Sequence, residues 1–232
     1  MDGTRSYLVG SDDLVVIDPG PDVDAHVRAL ASLAAGVRSF RILLTHGHAD
    51  HSAAAGRLGV ATGADIYGPA GVEGVTIPIE DGFVASTDHG SLVAVHTPGH
   101  MEDHLGFHWP ARRAFFAGDL VLGEGDTTWV AEYPGCVADY LASIENLHAL
   151  ELNVLYPTHG PPLTDPGEAL TRFAAHRRDR IAQVEQAMTR APHADIEQLL
   201  DIVYRDELPA AVRGAARLSL SALIDYVNGV RR

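Results

Sequence analysis

The sequence predicts an α/β domain over residues 1–164, followed by a smaller three-helix part over residues 165–232. Two observations carry this prediction. In the first part, short β-rich runs that end at turn residues alternate with helical patterns, which is typical of α/β proteins. After Pro161-Pro162 the hydrophobic period is helical throughout. A length of 232 residues suits one large domain with a small appendage.

Six apolar runs predict strands in the first part. They span residues 7–9, 14–17, 41–44, 92–95, 114–116 and 154–156. Apolar residues at helical spacing predict one helix around residues 23–34 and another around residues 137–148. Several of these strands are followed directly by histidine or aspartate. Because the loops after such strands converge on one crevice, we expect these side chains to meet there.

Three apolar stripes predict the helices of the second part. Their members are Leu170, Phe173, Arg177, Ile181, Val184 and Met188, then Ile196, Leu199, Leu200 and Val203, then Val212, Ala216, Leu220, Leu223 and Val227. Only Arg177 interrupts the first stripe with a charge. Turn residues at Ala191-Pro192 and Leu208-Pro209 separate the helices.

The charge is strongly negative and unevenly distributed. The formal net charge is −14, and every fixed cation is an arginine because lysine is absent. Residues 1–164 contain 21 acidic residues and 7 arginines, whereas residues 165–232 contain ten of each. An acidic domain repels phosphate backbones, which are the main source of sequence-independent nucleic-acid affinity. We therefore do not expect a nucleic-acid partner.

Membrane and disulfide features are lacking in the sequence. No stretch approaches the roughly 20 apolar residues that span a bilayer, and no basic start precedes an apolar run. The single cysteine, Cys136, excludes an internal disulfide framework and is interpreted as a small hydrophobic residue. The sequence predicts a cytoplasmic protein without a membrane partner.

The strongest chemical signal is the run His46-Gly47-His48-Ala49-Asp50-His51. It places four potential metal ligands within six residues. In an extended loop His46 and His48 point to the same side, while Asp50 and His51 face a second position as the chain turns into a helix. Further along, His100, Asp119 and His159 follow later strands. Zn²⁺ prefers imidazole nitrogen with some carboxylate oxygen, so this set predicts a metal site.

These motifs closely resemble those of the metallo-β-lactamase superfamily. The matching motifs are Asp18 in Ile17-Asp18-Pro19-Gly20, the His46–His51 run, Thr97-Pro98-Gly99-His100, Gly118-Asp119 and Thr158-His159-Gly160. The resemblance implies an αββα sandwich with two metals. One metal would be held by His46, His48 and His100, and the other by Asp50, His51 and His159. Asp119 would bridge them, and Asp18 would orient a ligand histidine through its other ring nitrogen.

The resemblance further implies a dizinc hydrolase, in which a metal-bridging hydroxide attacks an ester-like bond of a small substrate. That bond could be a carboxylic ester, thioester, lactone or phosphoester. Asp50 would orient the nucleophile and carry a proton to the leaving group. Two Zn²⁺ ions are the expected cofactors, with iron or manganese as alternatives.

The helical second part resembles that of the β-lactamase-like and endoribonuclease-like branch, where it forms a winged helix. The chain ends soon after the third stripe, which leaves little room for a β wing. Together with the acidic first part, this weakens the case for nuclease activity, so an endoribonuclease that acts on single-stranded RNA is an alternative function rather than the expected one. A mononuclear-iron persulfide dioxygenase is another, because such enzymes share a Thr-His-x-His-Ala-Asp-His string. His48 argues against flavin-diiron reductases, which carry a carboxylate there. The third alternative is a protein whose metal site has lost catalysis and whose helices serve as a binding module.

Two further features have both a functional and a structural interpretation. His104 lies four residues after His100 and matches a frequent family histidine, so it either supports a ligand or packs in the core. The glycine-rich segment 123–129 either lines the substrate pocket or forms a surface turn. In the family, another strand usually precedes the one predicted at residues 7–9. The sequence leaves open whether a second copy of the chain covers this sheet edge in a homodimer.

Overall fold

The computed structural model describes residues 3–204 and 208–230. Its strands form two five-stranded sheets. The strands are β1 (Tyr7–Val9), β2 (Asp13–Ile17), β3 (Ser39–Leu43), β4 (Ile66–Gly68), β5 (Ile77–Pro78), β6 (Val84–Thr87), β7 (Gly90–His96), β8 (Leu105–Trp109), β9 (Ala114–Gly118) and β10 (Val154–Pro157). All six strands predicted from the sequence are present; β4, β5, β6 and β8 are additional.

The helices lie on the outer faces of the two sheets and in the second part of the chain. They are α1 (Asp24–Leu33), α2 (Ala49–Ser52), α3 (Ala55–Thr62), α4 (Cys136–His148), α5 (Pro166–Arg190), α6 (Ile196–Tyr204) and α7 (Arg213–Val230). The helix predicted around residues 137–148 is α4; its buried side chains include Val137, Tyr140, Ile144 and Leu147, and His148 at its end is exposed.

The first sheet has the order β1-β2-β3-β4-β5, and the second has the order β10-β9-β8-β7-β6. In the first sheet β1 is antiparallel to β2, and the remaining pairs are parallel. In the second sheet only the β10–β9 pair is parallel. Because β2 and β3 are parallel, and β9 and β10 are parallel, the two strands of each pair end at the same edge of their sheet. The candidate ligands that follow these strands are therefore close to that edge.

Alternating strand residues divide the core into layers. On β2, Val15 and Ile17 pack between the two sheets, whereas Val16 packs under α1 and α3. On β9, Phe116 faces the other sheet, whereas Phe115 packs against α4 and the later helices. This period-two alternation buries both faces of each sheet. The predicted αββα sandwich with C-terminal helices is confirmed.

The C-terminal helices share one hydrophobic cluster with the second sheet. Phe115 of β9 belongs to the same cluster as Phe173 of α5, Leu200 of α6 and Leu223 of α7. A boundary at residue 164 remains our proposal, and residues 1–2, 205–207 and 231–232 of the two predicted parts lie outside the described residues. Within the described ranges, no helix combines the length and apolarity needed to cross a bilayer.

Candidate metal centre

The structure brings all seven candidate ligands together at the ends of strands. His46 follows β3, His100 follows β7, Asp119 follows β9, and His159 follows β10. His48 immediately precedes α2, which carries Asp50 and His51 on its first turn. The candidate ligands are mostly buried; His48 and Asp50 are partly exposed. The short helix after His48 is what turns the chain between the two groups of donors.

The first group, here called the three-histidine set, consists of His46, His48 and His100. Nδ1 of His48 lies 3.1 Å from Nε2 of His46 and 3.0 Å from Nε2 of His100. One nitrogen from each residue lies within 4.8 Å of the others, which suits a shared cation. The rings of His46 and His48 therefore point to the same side of the loop.

The second group, here called the mixed set, consists of Asp50, His51 and His159. Oδ2 of Asp50 lies 3.2 Å from Nε2 of His159 and 3.8 Å from Nε2 of His51. Asp119 lies between the two sets: its Oδ2 atom is 3.5 Å from Nε2 of both His51 and His159, and 3.8 Å from Nε2 of His100. One carboxylate oxygen thus lies near donors of both sets.

Two buried polar atoms in this cluster have no hydrogen-bond partner within the described part of the chain. They are Nε2 of His51 and Oδ1 of Asp119. A buried polar atom is costly unless it is paired or coordinates a cation. The donor chemistry, five imidazoles and two carboxylates, suits a borderline-soft divalent ion. The residues therefore fit a metal centre.

Asp18 organises the interior of the cluster. The chain at Asp18 has a positive φ of 48°, and its buried carboxylate accepts hydrogen bonds from the amide and hydroxyl of Thr45, at 2.8 and 2.7 Å. It also accepts a hydrogen bond from Nδ1 of His51 at 2.9 Å. Since the Thr45 hydroxyl donates to Asp18, it accepts from Nδ1 of His46, at 3.0 Å. Both rings consequently direct Nε2 toward the centre.

Main-chain carbonyls orient two more rings. Nδ1 of His100 donates to the carbonyl of Trp129 at 2.9 Å, and Nδ1 of His159 donates to the carbonyl of Gly3 at 3.1 Å. These bonds place an N–H on the outer nitrogen and leave the lone pair of Nε2 for the centre. Neither carbonyl was predictable from the sequence, because a main-chain carbonyl group has no residue-type signature.

A sequence model described as "Metallo-beta-lactamase superfamily" matches residues 2–159. The chain belongs to this superfamily. The match spans every candidate ligand, and the predicted family is confirmed. The family match, together with relatives that are named as thioesterases, also confirms the prediction of a metal-dependent hydrolase.

Two curated relatives of this metallo-β-lactamase superfamily protein align over nearly all of the chain. A beta-lactamase-like protein 2 homolog from Caenorhabditis elegans is 30% identical in an alignment 237 residues long, gaps included, that covers 93% of this chain and 75% of the relative. The atrochrysone carboxyl ACP thioesterase AgnL7 from Paecilomyces divaricatus is 30% identical in an alignment 240 residues long, gaps included, that covers 98% of this chain and 74% of the relative.

Solved structures of the superfamily share the fold. A metallo-beta-lactamase family protein from Thermus thermophilus aligns over 97% of this chain and 88% of its own, with a TM-score of 0.77 and 20% identity. A second structure, described as a di-iron-bound form, aligns over 72% of this chain and 92% of its own, with a TM-score of 0.57 and 27% identity. The first alignment includes the C-terminal helices.

Burial and neighbouring charge set the protonation of this superfamily site. Burial lowers the pKa of His46 and of His100, which keeps both rings neutral. Burial also opposes a charge on His51, but the carboxylates of Asp18 and Asp119 outweigh it and raise its pKa to about 10. The carboxylates that favour a proton on His51 also favour a metal cation at the same place.

Asp119 carries its negative charge despite being buried. Burial alone would raise its pKa, but the adjacent rings of His159 and His51, whose Nε2 atoms both lie 3.5 Å from its Oδ2 atom, hold the pKa far below the usual range. Conversely, the hydrogen bond to Asp119 raises the pKa of His159. An ionised Asp119 at the middle of the cluster offers the negative charge that two cations would share.

His104 contacts Asp119 rather than the space between the donor sets. Its Nε2 atom accepts a hydrogen bond from the amide of Asp119 at 3.2 Å, and its Nδ1 atom donates to the hydroxyl of Thr97 at 2.8 Å. Burial lowers its pKa well below the usual value, which keeps the ring neutral. The ring is thus placed to position Asp119, which favours the supporting interpretation of His104.

Proposed function

We propose that this superfamily member is a dinuclear hydrolase that cleaves an ester-like bond, foremost a thioester, in a small substrate. One observation carries the proposal: Oδ2 of Asp119 lies within 3.8 Å of donors from both sets. A carboxylate in that position suits a bridge between two cations. A single-metal centre would need only one of the two sets.

Two divalent cations, when bound, would supply Lewis acidity and a water of lowered pKa. The chain would supply the remaining chemistry. The Asp50 side chain is 48% exposed, unlike the buried ligands around it, so its carboxylate faces both the cluster and the solvent. It can accept a hydrogen bond from the attacking water and then carry the proton to the leaving group.

The thioester preference rests on the relatives. The AgnL7 relative is named as a thioesterase and aligns over 98% of this chain. A thiolate is also a good leaving group, so it depends less on protonation by Asp50 than an alkoxide would. Carboxylic esters, lactones and phosphoesters follow as alternative substrates within the same reaction class.

A cavity next to the His100 loop is large enough for a small acyl group. Its volume is about 540 Å³, and its lining includes Met101, Glu102, Asp103 and Tyr133. Ligand pockets in proteins commonly span about 300–1,000 Å³. The three acidic residues of the lining, Glu102, Asp103 and Glu132, disfavour a substrate with negative charge on this side.

We propose zinc as the resident metal, since imidazole-rich sets with carboxylates suit it. Iron is the leading alternative, because the structure that is 27% identical is described as di-iron-bound. A mononuclear-iron persulfide dioxygenase is the rival from another class. The completeness of the mixed set, Asp50, His51 and His159, favours the dinuclear hydrolase over it.

An endoribonuclease remains the other rival. The net charge of −14 lies entirely in residues 1–164, which contain every candidate ligand. That charge disfavours a long polyanion at the site.

We also propose a cytoplasmic location, with which the free, buried thiol of Cys136 is compatible. A homodimer stays a prediction.

A substrate panel tests the proposal. Zinc-loaded protein is assayed with a thioester, a carboxylic ester, a lactone, a β-lactam, a phosphodiester and single-stranded RNA, alongside Asp119→Asn. Asp65→Asn is the matched control, since Asp65 is an exposed acid after α3. We expect thioester turnover in the parent and the control and its loss in Asp119→Asn. Turnover of RNA alone would overturn the proposal in favour of an endoribonuclease. Oxygen-dependent turnover of a persulfide by an iron-loaded form would overturn it in favour of a dioxygenase.

A further inference from the structure

Helix α5 carries a charged residue in its apolar stripe, and that residue is buried. Arg177 is 3% exposed and lies among the residues that pack α5 onto α4. Its pKa is lowered, first of all by burial. An arginine in such a position is unfavourable unless its guanidinium forms specific contacts.

The contacts of Arg177 are with a carbonyl group and an aromatic ring. Its Nη2 atom donates to the carbonyl oxygen of Thr128 at 3.0 Å. The guanidinium carbon lies 5.2 Å from the centre of the Tyr140 ring, which gives a cation–π contact. Nε of Arg177 has no partner among the described residues. A buried arginine with these contacts contributes little net stability to the fold. Packing of the core therefore does not by itself explain why a charged residue stands at this position.

The segment that receives this hydrogen bond reaches two candidate ligands. The hydroxyl of Thr128 donates to the carbonyl of Asp119 at 2.7 Å. The next carbonyl in the chain, that of Trp129, accepts the hydrogen bond from Nδ1 of His100. Arg177 therefore holds a peptide group adjacent to the one that orients His100.

The same segment lacks regular secondary structure, so its position depends on such contacts. Residues 119–135, between β9 and α4, contain no helix or strand. Helix α5 holds this segment at two further points. Nε of Arg172 donates to the carbonyl of Gly125 at 3.1 Å, and Nδ1 of His176 lies 3.1 Å from Oδ2 of Asp126. One face of α5 thus fixes the segment that carries the Trp129 carbonyl.

We propose that Arg177 is a positioning residue for the metal centre: through Thr128 and Trp129 it sets the orientation of His100 and thereby the metal affinity of the three-histidine set. The inference rests on the proposed function, because it presumes that this set binds a metal. It also gives the C-terminal helices a role, since α5 would support the active site from outside the matched domain, residues 2–159.

Metal affinity provides the test. Metal-free protein is titrated with Zn²⁺ against a chromophoric chelator, in the parent and in the variants Arg177→Met, Arg177→Lys and Arg178→Met. Arg178 is the next residue on α5 and is exposed, so its variant is the matched control. Urea unfolding of each metal-free variant measures the structural contribution separately, and Co²⁺ spectra report the ligand geometry.

We expect Arg177→Met to bind one of two Zn²⁺ ions about 10- to 100-fold more weakly, as for other residues that orient metal ligands. Its metal-free form should unfold at a urea concentration no lower than that of the parent. Arg177→Lys should lie between the two, and Arg178→Met should match the parent. If Arg177→Met does not fold, weakened binding by Arg177→Lys supports the inference.

Parent-like affinity in Arg177→Met would overturn it, as would parent-like affinity in Arg177→Lys where Arg177→Met cannot be purified. Failure of the proposed function is distinguishable, because it appears in the parent itself as binding of fewer than two metal ions per chain.

Discussion

Oδ2 of Asp18 lies 2.9 Å from Nδ1 of His51, and both side chains are almost wholly buried. This pair connects the end of β2 to helix α2. It fixes the tautomer and the direction of the His51 ring, because an N–H on Nδ1 leaves Nε2 free to face Asp119. The geometry of the mixed set therefore depends on a residue that lies outside it.

Asp18→Asn should weaken metal binding by about 10- to 100-fold, as observed for residues that support metal ligands. Both carboxylate oxygens of Asp18 accept hydrogen bonds, and an amide nitrogen cannot accept. One donor from Thr45 or His51 is left unpaired, at a cost of about 1–3 kcal/mol. Asparagine tolerates a positive φ, so backbone strain is not the cause. Chelator competition measures the affinity; a parent-like value would contradict this role.

Gly118→Ala should disturb the centre through the backbone. Gly118 has a φ of +51°, and a Cβ there would lie 2.5 Å from Nε2 of His104 and 3.0 Å from Cβ of Thr45. We expect a loss of about 2–5 kcal/mol in the free energy of unfolding, from strain and overpacking together, with displacement of Asp119.

The control for Gly118→Ala is Gly214→Ala, where a Cβ on α7 meets nothing within 4 Å. This second change should be neutral or stabilise the protein by up to about 1 kcal/mol. Urea unfolding of both variants provides the comparison. Equal stability of the two alanine variants would refute the tight packing around Gly118.

Asp50→Asn should lower kcat by at least about 100-fold, the scale of general acid–base catalysis, with little change in stability. The small structural effect follows from the exposure of the Asp50 side chain. Steady-state kinetics with the best substrate of the panel, together with thermal unfolding, checks both parts. Asp65→Asn is the control. A kcat within about twofold of the parent would remove Asp50 from the proton-transfer role.

Removal of metal should leave the fold intact. The three hydrophobic clusters contain buried residues from both sheets and the helices that flank them, so the core does not depend on a cation. Bound metal at about 1,000 times its Kd adds about 4 kcal/mol, and its loss should lower Tm by about 10 °C. Far-UV circular dichroism of chelator-treated protein measures this; loss of the helical signal would contradict it.

Much of the fold follows from local patterns in the sequence. Strands such as β2 and β9 and the three C-terminal helices have clear hydrophobic periods, and α4 and α5 begin and end within a few residues of the predicted positions. The additional strand β5 has only two residues, Ile77 and Pro78. Such a short element has too few residues for a period to be recognised.

The candidate ligands were predictable, but the groups that orient them were only partly so. Asp18 and His104 stand in motifs, whereas His100 and His159 are oriented by the carbonyls of Trp129 and Gly3. Those bonds join residues 29 and 156 positions apart, and any residue type could provide the carbonyl. The charge of Arg177 within an apolar stripe was visible, but its partner in the 119–135 segment became apparent only in three dimensions.

The metal content of the purified protein tests the central claim most directly. Elemental analysis of the parent, Asp119→Asn and His48→Ala, each equilibrated with Zn²⁺ and desalted, counts the ions per chain. We expect two in the parent, fewer in both variants, and loss of turnover in both without unfolding. One ion in the parent, or full occupancy and activity in Asp119→Asn, would contradict a dinuclear centre bridged by Asp119.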